Sequence, residues 1–165
     1  MRDQKTNDDI RLLSEPSQFD RCARMMAVQD PWKRIGFSVD DCRGSFEGDW
    51  REVHGLFQEG ELCGFAVIQP KGTFKGYIQT LCIDPGFQRR GLGSVLLEHC
   101  ESVIRTYSPN VFICVSEFNT VARNLYRFHG YSEVGTLDNF LKPGFHELLL
   151  RKSFGSLIGY SIRSS

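Results

Sequence analysis

The chain reads as an α/β protein built on one mixed sheet. Three observations predict this. Strand-like and helix-like segments interleave in the order strand, helix, helix, strands, and then two strand–helix units followed by closing strands. Residues 111–115 (Val-Phe-Ile-Cys-Val) carry no polar side chain, as a central strand covered on both faces should not. Between residues 83 and 94 a strand passes through a short glycine-containing loop into a helix.

Each element has its own signal. Residues 1–9 are polar and are expected to be flexible. Ile10-Arg11-Leu12-Leu13 predicts a short strand. Residues 17–29 predict a helix, with Ser14 or Ser17 as the cap and Pro31 beyond its end. Ser38-Val39-Asp40-Asp41 predicts the N-cap and acidic first turn of a second helix. Residues 50–57 and 61–69 flank Glu59-Gly60 and read as a hairpin, which Pro70-Lys71-Gly72 ends. Residues 77–83 form the next strand and stop at Asp84-Pro85-Gly86. Leu92, Val95, Leu96, Cys100, Val103 and Ile104 then share one helical face, up to Pro109-Asn110. Asn119 or Thr120 opens a further helix through Phe128, with Gly130 just past its end. Residues 131–134 and 145–151 close the sheet around a turn at Lys142-Pro143-Gly144. No repeat, low-complexity tract or linker interrupts the chain, so residues 10–152 are expected to be a single domain, followed by a C-terminal tail over 153–165.

Composition excludes several classes. The 165 residues carry 20 Lys plus Arg against 20 Asp plus Glu. A net charge of zero argues against nucleic-acid binding driven by counterion release. No run approaches the ~20 apolar residues that span a bilayer, and the first nine residues contain no apolar stretch of a signal peptide. None of the six cysteines forms a Cys-x-x-Cys pair, so no metal site is expected. Four of them (Cys63, Cys82, Cys100, Cys114) lie in apolar or periodic runs, which points to reduced, mostly buried thiols in a cytoplasmic protein.

The informative stretch is Ile83-Asp84-Pro85-Gly86-Phe87-Gln88-Arg89-Arg90-Gly91-Leu92-Gly93-Ser94. A helix starting within it exposes unpaired N–H groups and the positive end of its macrodipole. Gly91 and Gly93 let a ligand approach the backbone, and Arg89 and Arg90 add charge. The combination suits a phosphate or pyrophosphate. It is not a P-loop, because no Gly-Lys-Ser/Thr follows. Nor is it a dinucleotide fingerprint, because Leu96 stands where the third glycine belongs.

In this stretch the chain resembles the acetyl-CoA-dependent N-acetyltransferase (GNAT) superfamily. Gln88-Arg89-Arg90-Gly91-Leu92-Gly93 fits that family's pyrophosphate motif, Arg/Gln-x-x-Gly-x-Gly/Ala, without a departure. Leu81-Cys82-Ile83-Asp84-Pro85 fits its fourth strand. Asn119-x-x-Ala122-x-x-x-Tyr126-x-x-x-Gly130-Tyr131 fits its second motif, with Tyr131 in place of the more usual Phe. The likeness runs over residues 10–152, and the loop is similar to that of the ribosomal-protein N-terminal alanine acetyltransferases.

The resemblance implies a central, mostly antiparallel sheet of about six or seven strands, with the fourth and fifth splayed and about four helices around it. It implies acetyl-CoA as cosubstrate and a primary amine as acceptor, either a small molecule or a peptide N-terminus. Homodimers are frequent in the superfamily. Gln88, Arg89, Arg90, Gly91, Leu92, Gly93 and Ser94 are then the pyrophosphate loop. Leu81, Cys82 and Ile83 give main-chain contacts to the pantetheine arm, one of their N–H groups polarising the thioester. Asn119 contacts the arm or positions its loop. Tyr126 is the general acid, because a phenol near pKa 10 can protonate a departing thiolate.

The general base is open. The related ribosomal-protein enzymes carry a glutamate five residues before the motif asparagine, and here that position is Cys114. Glu117, His54, Glu61 and His129 are further candidates. Residues 30–52 and 135–146 are the segments that the resemblance assigns to the acceptor pocket. Two alternatives to a small-amine transferase stand beside it: a protein N-terminal or lysine acetyltransferase, and a CoA-binding sensor or interaction module without turnover.

Overall fold

The computed structural model describes residues 8–161. The expected flexibility of the first residues and the end of the C-terminal tail therefore fall partly outside the described residues. The sheet has seven strands: β1 (Asp9–Leu12), β2 (Glu52–Gln58), β3 (Glu61–Gln69), β4 (Tyr77–Ile83), β5 (Asn110–Ser116), β6 (Ser132–Lys142) and β7 (Phe145–Ser153). Their order is β1-β2-β3-β4-β5-β7-β6. Among the described residues, five α-helices flank it: α1 (Pro16–Ala27), α2 (Trp32–Ile35), α3 (Val39–Arg43), α4 (Leu92–Arg105) and α5 (Thr120–Phe128). The single-turn α2 is the one that no periodic signal announced.

Local chemistry sets the helix starts. Pro16 takes the first position of α1, as its fixed φ favours, so the cap falls on Glu15 and not on Ser14 or Ser17. The Gln18 side chain accepts from the N–H groups of Ser14 and Glu15 at 3.2 and 3.1 Å. Ser38 caps α3 as its sequence predicts, in a reciprocal pair with Asp41. Among the closing strands β6 is the surprise. It runs eleven residues and is exposed along most of its length. Its polar outer edge hides the strand alternation over residues 135–142.

Apolar side chains fill both faces of the sheet. Leu56, Ile68, Ile78, Ile113, Leu148 and Leu150 meet Leu96, Leu97, Cys100 and Ile104 of α4 and Tyr126 of α5. On the opposite face Phe65, Val67 and Cys82 meet Cys22, Met25 and Met26 of α1 and Cys42 of α3. Five of the six free cysteines are buried and Cys114 is half-buried.

The joint between β4 and β5 positions the site. It is the parallel joint of the sheet, because the chain crosses over through α4. Only Tyr77↔Phe112 and Ile78↔Ile113 pair before the two strands part. The parting coincides with a bulge. Thr80 pairs with Val67 and Ile78 with Ile68, so Gln79 is an extra residue on β4. The bulge exchanges the faces of the strand: Ile78 packs under α4, whereas Cys82 packs under α1.

Gly76 holds the joint. Its carbonyl accepts from the Phe112 N–H at 3.0 Å. Its φ is +89°, and a Cβ there would lie 2.6 Å from the Asn110 carbonyl oxygen. Backbone strain and overpacking each cost about 1–3 kcal/mol. Gly76→Ala should therefore lower the urea midpoint by the equivalent of about 2–4 kcal/mol. An unchanged midpoint would show that the joint is not held there.

Candidate active site

The loop after β4 builds an anion cradle from main-chain groups. The Asp84 side chain accepts from the Gly86 N–H at 2.8 Å and starts a tight turn over Pro85–Phe87. Arg89 and Gly91 then adopt left-handed backbone, with φ of +62° and +78°. Left-handed residues in alternation turn successive N–H groups to one side. Among the described residues, the N–H groups of residues 89–93 find no acceptor. Those of Ser94 and Val95 return to the Gly91 carbonyl. The N-terminus of α4, fourteen residues long, adds its dipole at the same point.

The side chains of this loop divide by role. Gln88 donates to Gln29 Oε1 at 2.8 Å and to the Ile83 carbonyl at 3.1 Å. The Gln29 amide in turn donates to the Ile83 carbonyl at 3.1 Å and to Cys82 Sγ at 3.3 Å. Together these two side chains tie the loop to β4 and to the end of α1. Arg90 is drawn back onto the loop, donating to the Gly86 carbonyl at 3.0 Å with its guanidinium 5.0 Å from the Phe87 ring. Arg89 is exposed. Leu92 is buried in the core beneath α4, so only its main chain can meet a ligand. A Cβ on Gly93 would lie 3.4 Å from Leu125, which shows how closely α4 and α5 approach. Ser94 Oγ lies 2.9 Å from His129 Nε2.

Beyond Ile78 the β5 side of β4 has no strand partner. The Asp84 N–H donates to the Cys63 carbonyl at 2.8 Å. Main-chain groups alternate sides along an antiparallel ladder. Cys82 therefore also faces β3, while Leu81 and Ile83 face the gap. The Asn119 side chain accepts from the Ala122 N–H at 3.2 Å and caps α5 where that helix enters beside the gap. One helical span later, Tyr126 is 4% exposed and lies against Tyr131, with ring centroids 5.8 Å apart. Among the described residues its hydroxyl makes no hydrogen bond, yet it is not sealed from solvent as those of Tyr107 and Tyr131 are. Burial pushes the Tyr126 phenol well above its ordinary pKa, with the nearby Cys100, Cys82 and Glu147 adding to the effect.

The structure separates the candidate bases. His54 sits on β2, with Nδ1 3.0 Å from His99 Nε2 and Nε2 3.4 Å from Glu52, two strands from the gap. Glu61 opens β3 at an exposed turn. His129 sits beside Ser94 at the start of α4. Glu117 is exposed, past the end of β5. Cys114 does face the gap region, beside Tyr77, but burial raises its thiol pKa.

A residue that the sequence reading missed stands there as well. Glu147 of β7 is 6% exposed, lies opposite Ser116 of β5 and accepts a hydrogen bond from the Ser116 hydroxyl. Its one available signal was a charge immediately before the apolar run Leu148-Leu149-Leu150. On the same side of the sheet, Lys142 of β6 donates to the Ile35 carbonyl at the end of α2. The Arg34 guanidinium lies 4.1 Å from the Phe118 ring, which meets Phe145 edge-on at 6.1 Å. These contacts join the two segments expected to form the acceptor pocket.

Among the described residues no group of three or more His, Cys, Asp or Glu side chains could hold a metal ion, and no helix is long and apolar enough to cross a membrane. The arrangement instead offers an anion cradle, an open strand edge leading from it, and a phenol at the far end.

Comparison with known proteins gives these parts a common origin. The family model described as acetyltransferase (GNAT) family matches residues 12–131. The N-alpha-acetyltransferase RimI of Mycobacterium tuberculosis is 30% identical over 122 residues, covering 70% of this chain and 73% of that protein. A ribosomal-protein alanine N-acetyltransferase of Escherichia coli shares the fold with a TM-score of 0.72 at 19% identity, over 90% of this chain and 95% of that one. An aminoglycoside 6'-N-acetyltransferase, solved with coenzyme A, does so with a TM-score of 0.70 at 15% identity, over 90% and 98%. The parted β4–β5 joint, the cradle and the sequence match agree, and the chain belongs to the GNAT family as an acetyl-CoA-dependent N-acetyltransferase.

Proposed function

We propose that the protein moves the acetyl group of acetyl-CoA directly onto a primary amine, with Tyr126 protonating the departing CoA sulfur. The observation that carries this reading is the setting of the Tyr126 hydroxyl: an otherwise buried side chain, close to Tyr77 and Cys82 of β4, whose O–H has no partner among the described residues. Such a group has a proton to give. Its raised pKa keeps it protonated through the neutral range. A thiolate formed in the same dry surroundings is raised for the same reason, since both anions lose water, so donor and acceptor stay matched.

The free N–H groups of residues 89–93 support a pyrophosphate role for this loop, with Ser94 at the first turn of α4. Among the described residues of the loop, Arg89 makes no side-chain contact and is open to a phosphate, while Gln88 and Arg90 hold the loop in shape. The outward main chain of Leu81 and the outward N–H of Ile83 support pairing with the pantetheine arm, while Gln29 and Gln88 take the Ile83 carbonyl and Cys82 keeps β4 in register with β3. Asn119 sets the entry of α5, and with it the position of Tyr126.

The acceptor in this reading is a peptide N-terminal amine, a choice supported by the relationship to RimI. A small-molecule amine is the second reading, favoured by the Lys142–Ile35 bridge that ties the pocket segments together. The test is acetyl-CoA turnover with pooled amino acids, polyamines, amino sugars and short peptides. Free CoA is quantified by chromatography, because six protein thiols would react with a thiol dye. The peptide pool should raise CoA release well above background. Release with a small-amine pool alone would select the second reading. Acetyl-CoA binding with no release from any pool would replace the transfer reading by a CoA-binding module.

A further inference from the structure

We propose that Glu147 is the general base of the reaction, taking a proton from the incoming amine on the face of the β4–β5 gap opposite Tyr126. The inference rests on the transfer reading above and adds the residue that reading lacks. Strand alternation gives the direction. Val111, Ile113 and Val115 of β5, and Leu148 and Leu150 of β7, point into the core under α4 and α5. Cys114 and Ser116 of β5 and Glu147 of β7 therefore point to the other face. That is the face of α1, α2 and the Lys142–Ile35 bridge. Glu147 thus occupies the acceptor side, on the strand next to β5, two ladder positions from Cys114↔Leu149.

The carboxylate is held and yet open. One oxygen accepts from the Ser116 hydroxyl. The other makes no hydrogen bond among the described residues and is not sealed from solvent. A carboxylate buried merely for packing would have both oxygens satisfied. The titratable groups that bear on it come from three elements: Tyr77 of β4, Cys114 of β5 and Tyr126 of α5. β6 opposes it with Leu137. No cation faces it among these neighbours. Burial raises its pKa above the ordinary carboxylate value, and the Ser116 hydrogen bond works the other way. A carboxylate raised towards neutrality is a better base for an ammonium group than an exposed one.

The proton balance closes. The ammonium gives one proton to Glu147, and its lone pair attacks the thioester carbonyl carbon. The C–N bond forms, the C–S bond breaks, and the sulfur takes the Tyr126 proton. The nitrogen's second surplus proton restores Tyr126, and Glu147 releases its own to water. The net products are the amide, CoA thiol and one proton.

The experiment uses full-length protein and the best amine from the panel above. Glu147→Gln should lower kcat/KM by at least about 100-fold, the usual contribution of a general base. It should also remove the acid limb of the pH profile and leave acetyl-CoA affinity within about three-fold. Ser116→Ala is the second variant, and it reads the role even if Glu147→Gln does not fold. Loss of the hydroxyl that lowers the Glu147 pKa should move the acid limb of kcat/KM to higher pH. Wild-type turnover with an acid limb that neither variant alters would overturn the assignment. Wild type that binds acetyl-CoA but acetylates no amine would overturn the transfer reading itself, and the assignment with it.

Discussion

Tyr126→Phe should reduce kcat by about 100- to 1,000-fold while acetyl-CoA affinity stays within about three-fold of wild type. The asymmetry follows from where the hydroxyl sits. It makes no hydrogen bond among the described residues, so its removal leaves none of them an unsatisfied partner. The ring stays packed against Tyr131 in the core under α4 and α5, so the fold should keep its stability to within about 1 kcal/mol. In the proposed function, what is lost is the proton that meets the sulfur as the C–S bond breaks, an interaction made only on the way to product. Burial holds the phenol well above its usual pKa. The wild-type profile should therefore show no alkaline fall from Tyr126 ionisation below about pH 10. Steady-state turnover and calorimetric acetyl-CoA binding check both halves. Turnover in the Phe variant equal to wild type across the pH range would remove Tyr126 from the chemistry.

Gly91→Val should weaken acetyl-CoA binding by at least about 100-fold, or about 2.8 kcal/mol at ten-fold per 1.4 kcal/mol. Two effects combine. Gly91 has φ +78°, a conformation that a β-branched residue adopts only under strain of about 1–3 kcal/mol. No protein atom lies within 4 Å of where its Cβ would be, so the added side chain would project into open space in front of the cradle. In the proposed function that space belongs to the pyrophosphate. Gly91→Ala separates the causes, since it carries the backbone strain with far less bulk. Calorimetry on folded protein reads the difference. Equal affinity in the Val variant would mean that this loop does not bind the cofactor.

Parts of the site were legible because they are local. A strand end, three glycines and a helix start lie within twelve residues, and their hydrogen-bonding needs are set by that short stretch. The same holds for Asn119 and Tyr126, whose spacing of two helical turns puts the cap and the phenol on one face of α5. The side chains of the loop were less legible. Gln88 and Arg90 look like ligand-binding groups in sequence, but they satisfy carbonyls of residues 83 and 86 and the Gln29 side chain.

By itself, the sequence determined the class of this protein. Helical and strand periods, the turn residues between them and the anion loop each depend on a few neighbours in the chain. They sufficed for an α/β sheet, the order of most elements, the absence of zinc-type cysteine pairs and the GNAT motifs. Tertiary structure decided what depends on contacts between distant segments. The Gln79 bulge reverses the faces of β4, and no alternation read along the chain reveals that reversal. Register between β5 and β7 brings Glu147, thirty-one residues on, against Ser116. The Lys142–Ile35 bridge spans still more of the chain. Ladder register and bulges are settled by the packing of whole faces, so the proposed acceptor side became visible only once the sheet was assembled.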